Sequence, residues 1–568
     1  MPRASHTRLN RTALALLCAS LTLPAQTQGL PDAGTLLQQN QPTTPPPVPQ
    51  RPEVAATAQA AALTDLPGPT VAVRAFRFEG RTLLPESTLA AAVAGYLRPD
   101  VKLAELQRAA AEVGETYRKA GWVVRSYVPQ QDVTDGVITI AIVEAKFGGV
   151  QVEADAGLRL RLDLAVERIE AAQAKGTPLN ADALERGLMI LNDLPGVKAV
   201  GTLQEGQQSG ETALALKLSD EPLVTLQTGM DNHGSRSTGS HRAQLTAALN
   251  NPFGRGEQLT AQGIVSSGSE YFRGGFSIPV GADGLRVGAS ASLMNYKLVS
   301  AEYAMLAAKG QSETLGLEAS YPLLRSRQRS LTLSANADLK RFHNQALEVS
   351  TSRYRTRSLS LGASGYQFDA LGGGGSTSAQ FSLVGGHLDL DGSPNQVGDA
   401  LTTQAGGKFA KLRGSLSRQQ QLLGAVSATA SLSGQWAAKN LDSSEKFFLG
   451  GPHGVRAYPA SEGGGSDGVM LNLALRWPVA EGLSLSGLYD WGKVRVNHRN
   501  DFLGAPLLNS YSLQGAGLSL GWQSGFGLSL NATLARRLGS NPNRSDKGQD
   551  QDGTLDLNRL WLDAQLAF

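Results

Sequence analysis

Arg456 and Asp490 are two charged residues whose surroundings in the sequence predict a specific ion pair. Arg456 lies in a long segment between predicted strands, residues 450–468, in which several glycines allow the chain to fold back. Asp490 lies further along the chain, in a predicted strand. An arginine and a carboxylate can form a bidentate pair, which fixes geometry as well as contributing energy. The sequence therefore indicates a loop held to a strand by this pair, with two solvated charges that never meet as the alternative.

The strand that carries Asp490 alternates between two kinds of position. One face contains Leu483, Leu485, Gly487, Tyr489 and Trp491, and the other contains Ser484, Ser486, Leu488, Asp490 and Gly492. A carboxylate that faces hydrocarbon costs several kcal/mol, so only the first face suits lipid. Asp490 is therefore predicted to face the lumen of a membrane barrel.

The same period of two extends over the C-terminal part of the chain, residues 221–568. In residues 526–534 and 560–568 the even positions are apolar, and the chain ends on the aromatic Phe568. At roughly 20–22 residues per strand with its connection, this segment suits an all-β transmembrane barrel of about sixteen antiparallel strands. A soluble β-sandwich is the alternative, although it requires neither so many strands in one run nor a terminal aromatic residue.

Two small α+β units precede the predicted barrel, at residues 71–146 and 147–220. Each reads as a strand, two helices and two strands. The first unit has a predicted strand at 71–78 and helices at 86–97 and 103–119. The second has predicted helices at 158–174 and 181–191.

The N-terminal residues 1–25 have the pattern of a secretory signal peptide. Three arginines precede an apolar run that is too short to span a bilayer as an anchor. The single cysteine, Cys18, lies within it, so the mature chain is predicted to hold no disulfide. Residues 26–70 form a leader with an extended, proline-rich linker at 43–49. Residues 33–39 of this leader are predicted either to form a turn or two of helix, which would be a possible plug, or to be disordered.

No combination of residues predicts a catalytic, cofactor or metal site. Residues 517–521 have the spelling of a nucleophile elbow, but they lie in a predicted strand that no helix follows. The seven histidines are scattered, and the glycine run at 372–375 lacks the lysine of a phosphate-binding loop. A formal net charge of +3 gives no electrostatic case for binding nucleic acid. We therefore expect a protein that is not an enzyme and that needs no cofactor.

Several motifs resemble those of the outer-membrane transporters of two-partner secretion, the exporters of haemolysins and adhesins. Gly454, Val455, Arg456, Ala457 and Tyr458 are similar to the tip of the family's long sixth extracellular loop, and Tyr489, Asp490 and Gly492 to its aromatic-Asp-x-Gly motif on the barrel wall. Residues 117–122 and 128–132 resemble the family's first POTRA domain, and residues 231–239 resemble its first barrel hairpin. Ala457 stands where glycine is common, which predicts a stiffer tip.

The resemblance implies roles for these residues. The loop would enter the barrel, where Arg456 and Asp490 would lock it to the wall. Phe568 would belong to a C-terminal signal that the barrel assembly machinery recognises. The two α+β units would be periplasmic POTRA domains, and the barrel would lie among the lipids of the outer membrane of a Gram-negative-type bacterium.

The implied function is export of one large partner exoprotein that carries an N-terminal secretion domain. The exoprotein would be a haemolysin, an adhesin or a contact-dependent toxin. The alternatives are an outer-membrane protein insertase of the same superfamily, which typically carries more POTRA units, and a passive porin, which has no such pair of domains before its barrel.

Overall fold

A computed structural model describes residues 31–40, 70–208 and 210–568. The predicted signal peptide and the proline-rich linker lie outside these residues. None of the helices in the described ranges is both long and apolar enough to cross a membrane.

Sixteen antiparallel strands close into a barrel, in which the first barrel strand (Val224–Asp231) pairs with the last (Asn558–Ala567). This confirms the fold class predicted from the alternating pattern. The barrel strands are β9 (Val224–Asp231), β10 (Arg242–Asn250), β11 (Gln258–Val265), β12 (Ser269–Val280), β13 (Leu285–Lys297), β14 (Lys309–Arg325), β15 (Arg329–Ala346), β16 (Val349–Asp369), β17 (Gly375–Asp389), β18 (Gly407–Gln421), β19 (Ser427–Ala437), β22 (Asp467–Ala480), β23 (Leu483–Arg495), β24 (Ser510–Gln523), β25 (Leu528–Arg537) and β26 (Asn558–Ala567).

The period-two pattern places apolar side chains outside and polar side chains inside the barrel. On β14, Leu315 and Leu317 are 59% and 64% exposed on the outer surface, whereas Ser312 and Thr314 are buried inside. On β23, Leu485 is exposed and Asp490 is buried, as the alternation predicts. Successive side chains on a strand point to opposite faces. The alternating sequence therefore places apolar residues against lipid and polar residues in the lumen at the same time.

Two units with strand, helix, helix, strand, strand order precede the barrel. The first contains β1 (Thr70–Val71), β2 (Ala75–Glu79), α2 (Glu86–Val93), β3 (Val101–Lys102), α3 (Leu103–Lys119), β4 (Val124–Tyr127) and β5 (Val137–Glu144). The second contains β6 (Lys146–Ala154), α4 (Leu162–Ala172), α5 (Ala181–Asn192), β7 (Val197–Glu205) and β8 (Glu211–Asp220). Their three-stranded sheets have the orders β2-β5-β4 and β6-β8-β7.

Several predicted element bounds in these units differ from the structure. The strand predicted at 71–78 is divided, because the backbone nitrogens of Val73 and Arg74 donate to Arg98 and Gly136 outside the sheet. The helix predicted at 86–97 ends at Val93 and continues only as a 3₁₀ turn, Ala94–Tyr96. The helix predicted at 158–174 is shorter, Leu162–Ala172.

Tyr117 and Glu144 join the long helix of the first unit to its central strand. The Tyr117 ring is fully buried, and its hydroxyl donates to Glu144 Oε1 at 2.9 Å. Burial would raise the pKa of Glu144, but hydrogen bonds from Thr82, Leu83 and Tyr117 outweigh burial and hold that pKa below its ordinary value. The Glu144 carboxylate therefore stays ionised while it accepts these hydrogen bonds.

The second unit contacts the turns at the near end of the barrel. Arg325, at the end of β14, donates through Nε to Asp193 Oδ2 at 2.8 Å. The backbone nitrogen of Arg161 donates to the carbonyl of Gly254 at 3.0 Å. Charged and backbone contacts therefore fix the direction in which this unit approaches the barrel.

Helix α1 (Ala33–Asn40) lies inside the barrel. Leu36 and Leu37 are almost fully buried against lumen-facing Met294, Tyr296 and Phe342. A helix of eight residues is marginal alone, but burying each leucine contributes ~1.5–3 kcal/mol. The weak helical pattern at 33–39 is thus stabilised by the barrel wall rather than by its own propensity.

Phe568 extends the seam between the first and last strands. The β26–β9 ladder has five residue pairs, fewer than the eight of β9–β10. Beyond it, Phe568 donates to the Leu226 carbonyl at 2.9 Å and accepts from the Leu226 nitrogen at 3.4 Å. Its ring is exposed on the outer surface. The last residue therefore lengthens the shortest ladder of the barrel.

We expect deletion of Phe568 to lower the amount of assembled barrel, because it removes two backbone hydrogen bonds, each worth about 1 kcal/mol net, and the terminal ring. The measurement is heat-modifiable gel mobility of outer-membrane fractions. Phe568→Tyr keeps the backbone and an aromatic ring, and it should assemble normally. A folded band of normal abundance after the deletion would contradict the prediction.

Candidate functional site

The connection between β19 and β22, residues 438–466, folds back into the barrel, and we call it loop 6. It is the sixth connection on the side opposite the two N-terminal units. It contains a 3₁₀ turn, Ser443–Glu445, and two short paired strands, β20 (Phe447–Phe448) and β21 (Gly464–Gly465). The prediction of this segment at 450–468 began too late, since β19 ends at Ala437. It also ended too late, since β22 begins at Asp467.

The tip of loop 6 is a compact coil built from its own backbone. The nitrogen of Val455 donates to the Leu449 carbonyl at 2.7 Å, and that of Tyr458 donates to the Val455 carbonyl at 3.0 Å. A Cβ at Gly454 would collide with the Leu449 carbonyl, so this position requires glycine. Leu449, Val455 and Tyr458 are fully buried. The tip is thus a packed element rather than a free loop.

Arg456 and Asp490 meet inside the barrel. Arg456 Nε lies 2.8 Å from Asp490 Oδ2, and Nη2 lies 2.6 Å from Oδ1. The Arg456 backbone nitrogen also donates to Oδ2 at 3.1 Å. The side chains of Asp490 and Arg456 are only 2% and 17% exposed. The pair is therefore bidentate and largely desolvated, which makes it directional and costly to break.

Asn472 supports this ion pair from the neighbouring strand. It stands opposite Asp490 in the β22–β23 register. Its amide nitrogen lies 2.7 Å from Asp490 Oδ1 and 2.9 Å from the Gly454 carbonyl oxygen. One side chain thus contacts both the wall carboxylate and the loop backbone.

The remaining residues of the two predicted motifs shape the contact. A Cβ at Gly492 would lie 2.6 Å from Leu449 Cδ2, so glycine makes room for the tip. Ala457 is fully buried and is not among the residues with positive φ. The Ala457 methyl group fits because the facing wall residue, Gly515, has no side chain. A Cβ at Gly515 would lie 2.6 Å from the Cβ of Ala457. Tyr489 belongs to the outward face of β23, where its hydroxyl donates to Gln514 Oε1 at 3.4 Å.

Two contacts of the tip, with Trp561 and with His233, were missed in the sequence. Trp561 of β26 donates through Nε1 to the Arg456 carbonyl at 2.7 Å. The His233 ring stands edge-on to Trp561 and to His453 of the tip, with centroids 5.7 and 5.8 Å away. The odd position of Trp561 in residues 560–568 was the available signal, since a large aromatic side chain on the lumen face needs a partner.

Loop 6 also contacts the connection between β25 and β26, residues 538–557, which we call loop 8. The Arg537 guanidinium lies 4.6 Å from the centroid of the Tyr458 ring, a cation–π distance, and is paired with Asp550. Glu462 accepts from Asn541 at 2.9 Å and from the Gln551 nitrogen at 2.8 Å. The arm that follows the tip is thus held by a second loop.

The two sequence features that were considered as enzyme motifs lie in a barrel strand and in a turn between barrel strands. The elbow-like residues 517–521 lie within β24. The glycine run begins in a 3₁₀ turn, Leu371–Gly373, and ends at the first residue of β17. Within the described ranges, no cluster of three or more His, Cys, Asp or Glu is arranged to hold a metal ion.

Two family models match the chain. The haemolysin secretion/activation protein family ShlB/FhaC/HecB matches residues 210–523, and the ShlB-type POTRA domain matches residues 71–145. The first match spans the barrel strands from β9 to β24, and the second covers the first α+β unit.

Relatives of known name span most of the chain. It is 27% identical over 477 residues to the heme/hemopexin transporter protein HuxB of Haemophilus influenzae, covering 81% of this chain and 82% of that protein. It is 25% identical over 456 residues to the outer membrane transporter CdiB of Dickeya dadantii, covering 77% and 78%. The solved structure of CdiB from Escherichia coli has the same fold, with a TM-score of 0.69, 22% identity, and coverage of 90% of this chain and 93% of that chain.

These findings confirm the resemblance that the loop and strand motifs indicated. The first family model covers more than half of the chain. The protein therefore belongs to the ShlB/FhaC/HecB family of haemolysin secretion/activation proteins, outer-membrane transporters with periplasmic POTRA domains.

Proposed function

We propose that this transporter exports one large partner exoprotein with an N-terminal secretion domain, of the haemolysin, adhesin or contact-dependent toxin type. The observation that carries the proposal is the tip of loop 6, which is held inside the barrel by the desolvated Arg456–Asp490 pair. The two α+β units that precede the barrel also argue against a passive porin, which has no such pair of domains.

The Arg456–Asp490 pair acts as a lock between loop 6 and the barrel wall. It sets the position of the tip, which in turn sets the shape of the lumen through which the exoprotein passes. Phe568 and the strand that it ends serve as the signal for the barrel assembly machinery. The outward leucines of the strands contact outer-membrane lipid.

The two N-terminal units receive the unfolded exoprotein. Strands β4 and β7 are outer strands of their sheets, and β7 spans nine residues. An extended segment can add to such an edge through main-chain hydrogen bonds, which suits a cargo that is not yet folded. The family match favours this function over that of an insertase.

Export proceeds here without a catalytic step or a cofactor. The work comes from binding of the exoprotein at the periplasmic units and from its folding at the cell surface.

We expect Arg456→Ala and Asp490→Ala each to lower export of the exoprotein at least roughly tenfold, because each leaves one charge desolvated and unpaired. The double variant should be no worse than the worse single variant, since the two side chains act as one unit. The measurement is the amount of exoprotein in the medium. Folded transporter in the outer membrane is quantified in parallel.

Arg495→Ala is the matched control, since Arg495 lies on the same strand as Asp490, but its side chain is half exposed and lies 3.6 Å from Asp467. It should export normally, because exposed pairs contribute only ~0–1 kcal/mol. If the two single effects simply multiply, or if neither variant changes export, the residues do not act as a lock.

We expect a protein that lacks residues 71–146 to form a barrel in the outer membrane but to export nothing, because the first contact with the exoprotein is lost. Heat-modifiable mobility reports the barrel, and immunoblotting of the medium reports export. Unchanged exoprotein in the medium would refute this role of the first unit.

A further inference from the structure

A second buried charge cluster holds the segment of loop 6 that precedes the tip, and it uses other strands of the barrel wall than the Arg456–Asp490 pair. Glu445 Oε1 lies 2.9 Å from Lys340 Nζ of β15, and Oε2 lies 2.5 Å from Lys411 Nζ of β18. The three side chains are only 6%, 11% and 1% exposed. One carboxylate of the loop therefore connects two strands of the barrel wall.

The backbone of Glu445 is held by the same wall. Its carbonyl oxygen accepts from Lys411 Nζ at 2.8 Å, from Gln435 Nε2 at 3.1 Å and from Arg413 Nη2 at 3.4 Å. Two lysines thus hold the Glu445 carboxylate, and a third cation, Arg413, contacts the backbone carbonyl of the same residue. Removing its negative charge would leave desolvated cations close together, which is unfavourable.

Helix α1 lies on the turn that this cluster fixes. Ser443 Oγ donates to Asp32 Oδ2 at 2.6 Å, and Gln38 Nε2 donates to the Ser443 carbonyl at 3.0 Å. A Cβ at Gly34 would lie 2.6 Å from Ser443 Oγ and 2.9 Å from Ser444 Cβ, so helix and turn are in close contact. The helix therefore packs on residues 443–445 as well as on the barrel wall.

The tip of loop 6 is held on a different part of the wall. The wall residues that hold the tip, Asn472 and Asp490, lie on β22 and β23. The lysines that hold the Glu445 carboxylate lie on β15 and β18. Loop 6 thus has two electrostatic anchors, and only the one at Glu445 adjoins the turn under α1.

We propose that Glu445 is the positioning residue that keeps α1 in the lumen, so that the pore is closed by this anchor independently of the Arg456–Asp490 pair. Lys340 and Lys411 hold the Glu445 carboxylate, the carboxylate holds the 3₁₀ turn, and the turn supports the helix. The inference rests on the proposed export function, because it concerns closure of the same pore. Its test requires no exoprotein and can therefore fail separately.

The experiment measures single-channel currents of the purified full-length transporter in planar lipid bilayers. A variant that lacks residues 31–40 defines the channel without its helix. We expect Glu445→Gln to raise the fraction of time in the open state roughly tenfold or more, toward that of the deletion variant, because the wall cations lose their counter-charge. Glu445→Asp keeps the charge and should remain closer to wild type.

Glu313→Gln is the matched control, since Glu313 pairs with Arg341 across β14 and β15 in an exposed position. It should be as closed as wild type. Arg456→Ala releases the tip but leaves the turn under the helix its own anchor, so it should open the channel less than Glu445→Gln does. A folded Glu445→Gln protein that is as closed as wild type would overturn the proposal, and so would opening by Arg456→Ala to the same extent.

The double variant Lys411→Gln and Glu445→Gln keeps the test decisive if the single variant does not fold. It removes one cation together with the carboxylate, which relieves the uncompensated charge. Because the turn still loses its anchor, we expect this variant to open as well. A closed channel in the folded double variant would contradict the role of Glu445.

Discussion

The carboxylate of Asp490 is the constraint on which the site depends. A strand of a membrane barrel can carry such a group only on its lumen face, and there the side chain is 2% exposed. A charge in that position needs a partner that brings both opposite charge and hydrogen bonds. Arg456 supplies them in bidentate form, and Asn472 adds a further donor. The fold of loop 6 follows, because the chain must deliver one arginine to one point of the wall.

Loop 6 is held along its length by polar contacts rather than by apolar packing alone. The tip meets β23, the arm after it meets loop 8 through Glu462, and the arm before it meets β15 and β18 through Glu445. Buried ion pairs add little net stability compared with well-packed apolar groups. Removing one partner is nevertheless costly, because the other charge is then buried without a counter-charge. Such contacts define one position of the loop more strictly than apolar packing does, because each one requires a specific partner.

The sequence predicted those features that follow from a local pattern. The period-two alternation predicted the barrel and the lumen-facing position of Asp490. The motif around Arg456 predicted that this arginine pairs with Asp490. The partners Trp561 and Glu445 were missed, because a polar or aromatic lumen residue has the same local pattern whether or not it has a contact. The start of loop 6 at residue 438 was missed for a related reason: the paired strands β20 and β21 within it span only two residues each. Such contacts depend on closure of the barrel, which brings distant segments together.

The position of the tip can be measured directly by the reactivity of a single cysteine. Val455 is fully buried, and the only native cysteine is Cys18 in the predicted signal peptide. Val455→Cys should react slowly with a membrane-impermeant maleimide on whole cells. Adding Asp490→Ala should accelerate the reaction at least roughly tenfold, because the tip then leaves the wall more often. Equal rates in the two proteins would show that the Arg456–Asp490 pair does not hold loop 6 in the barrel.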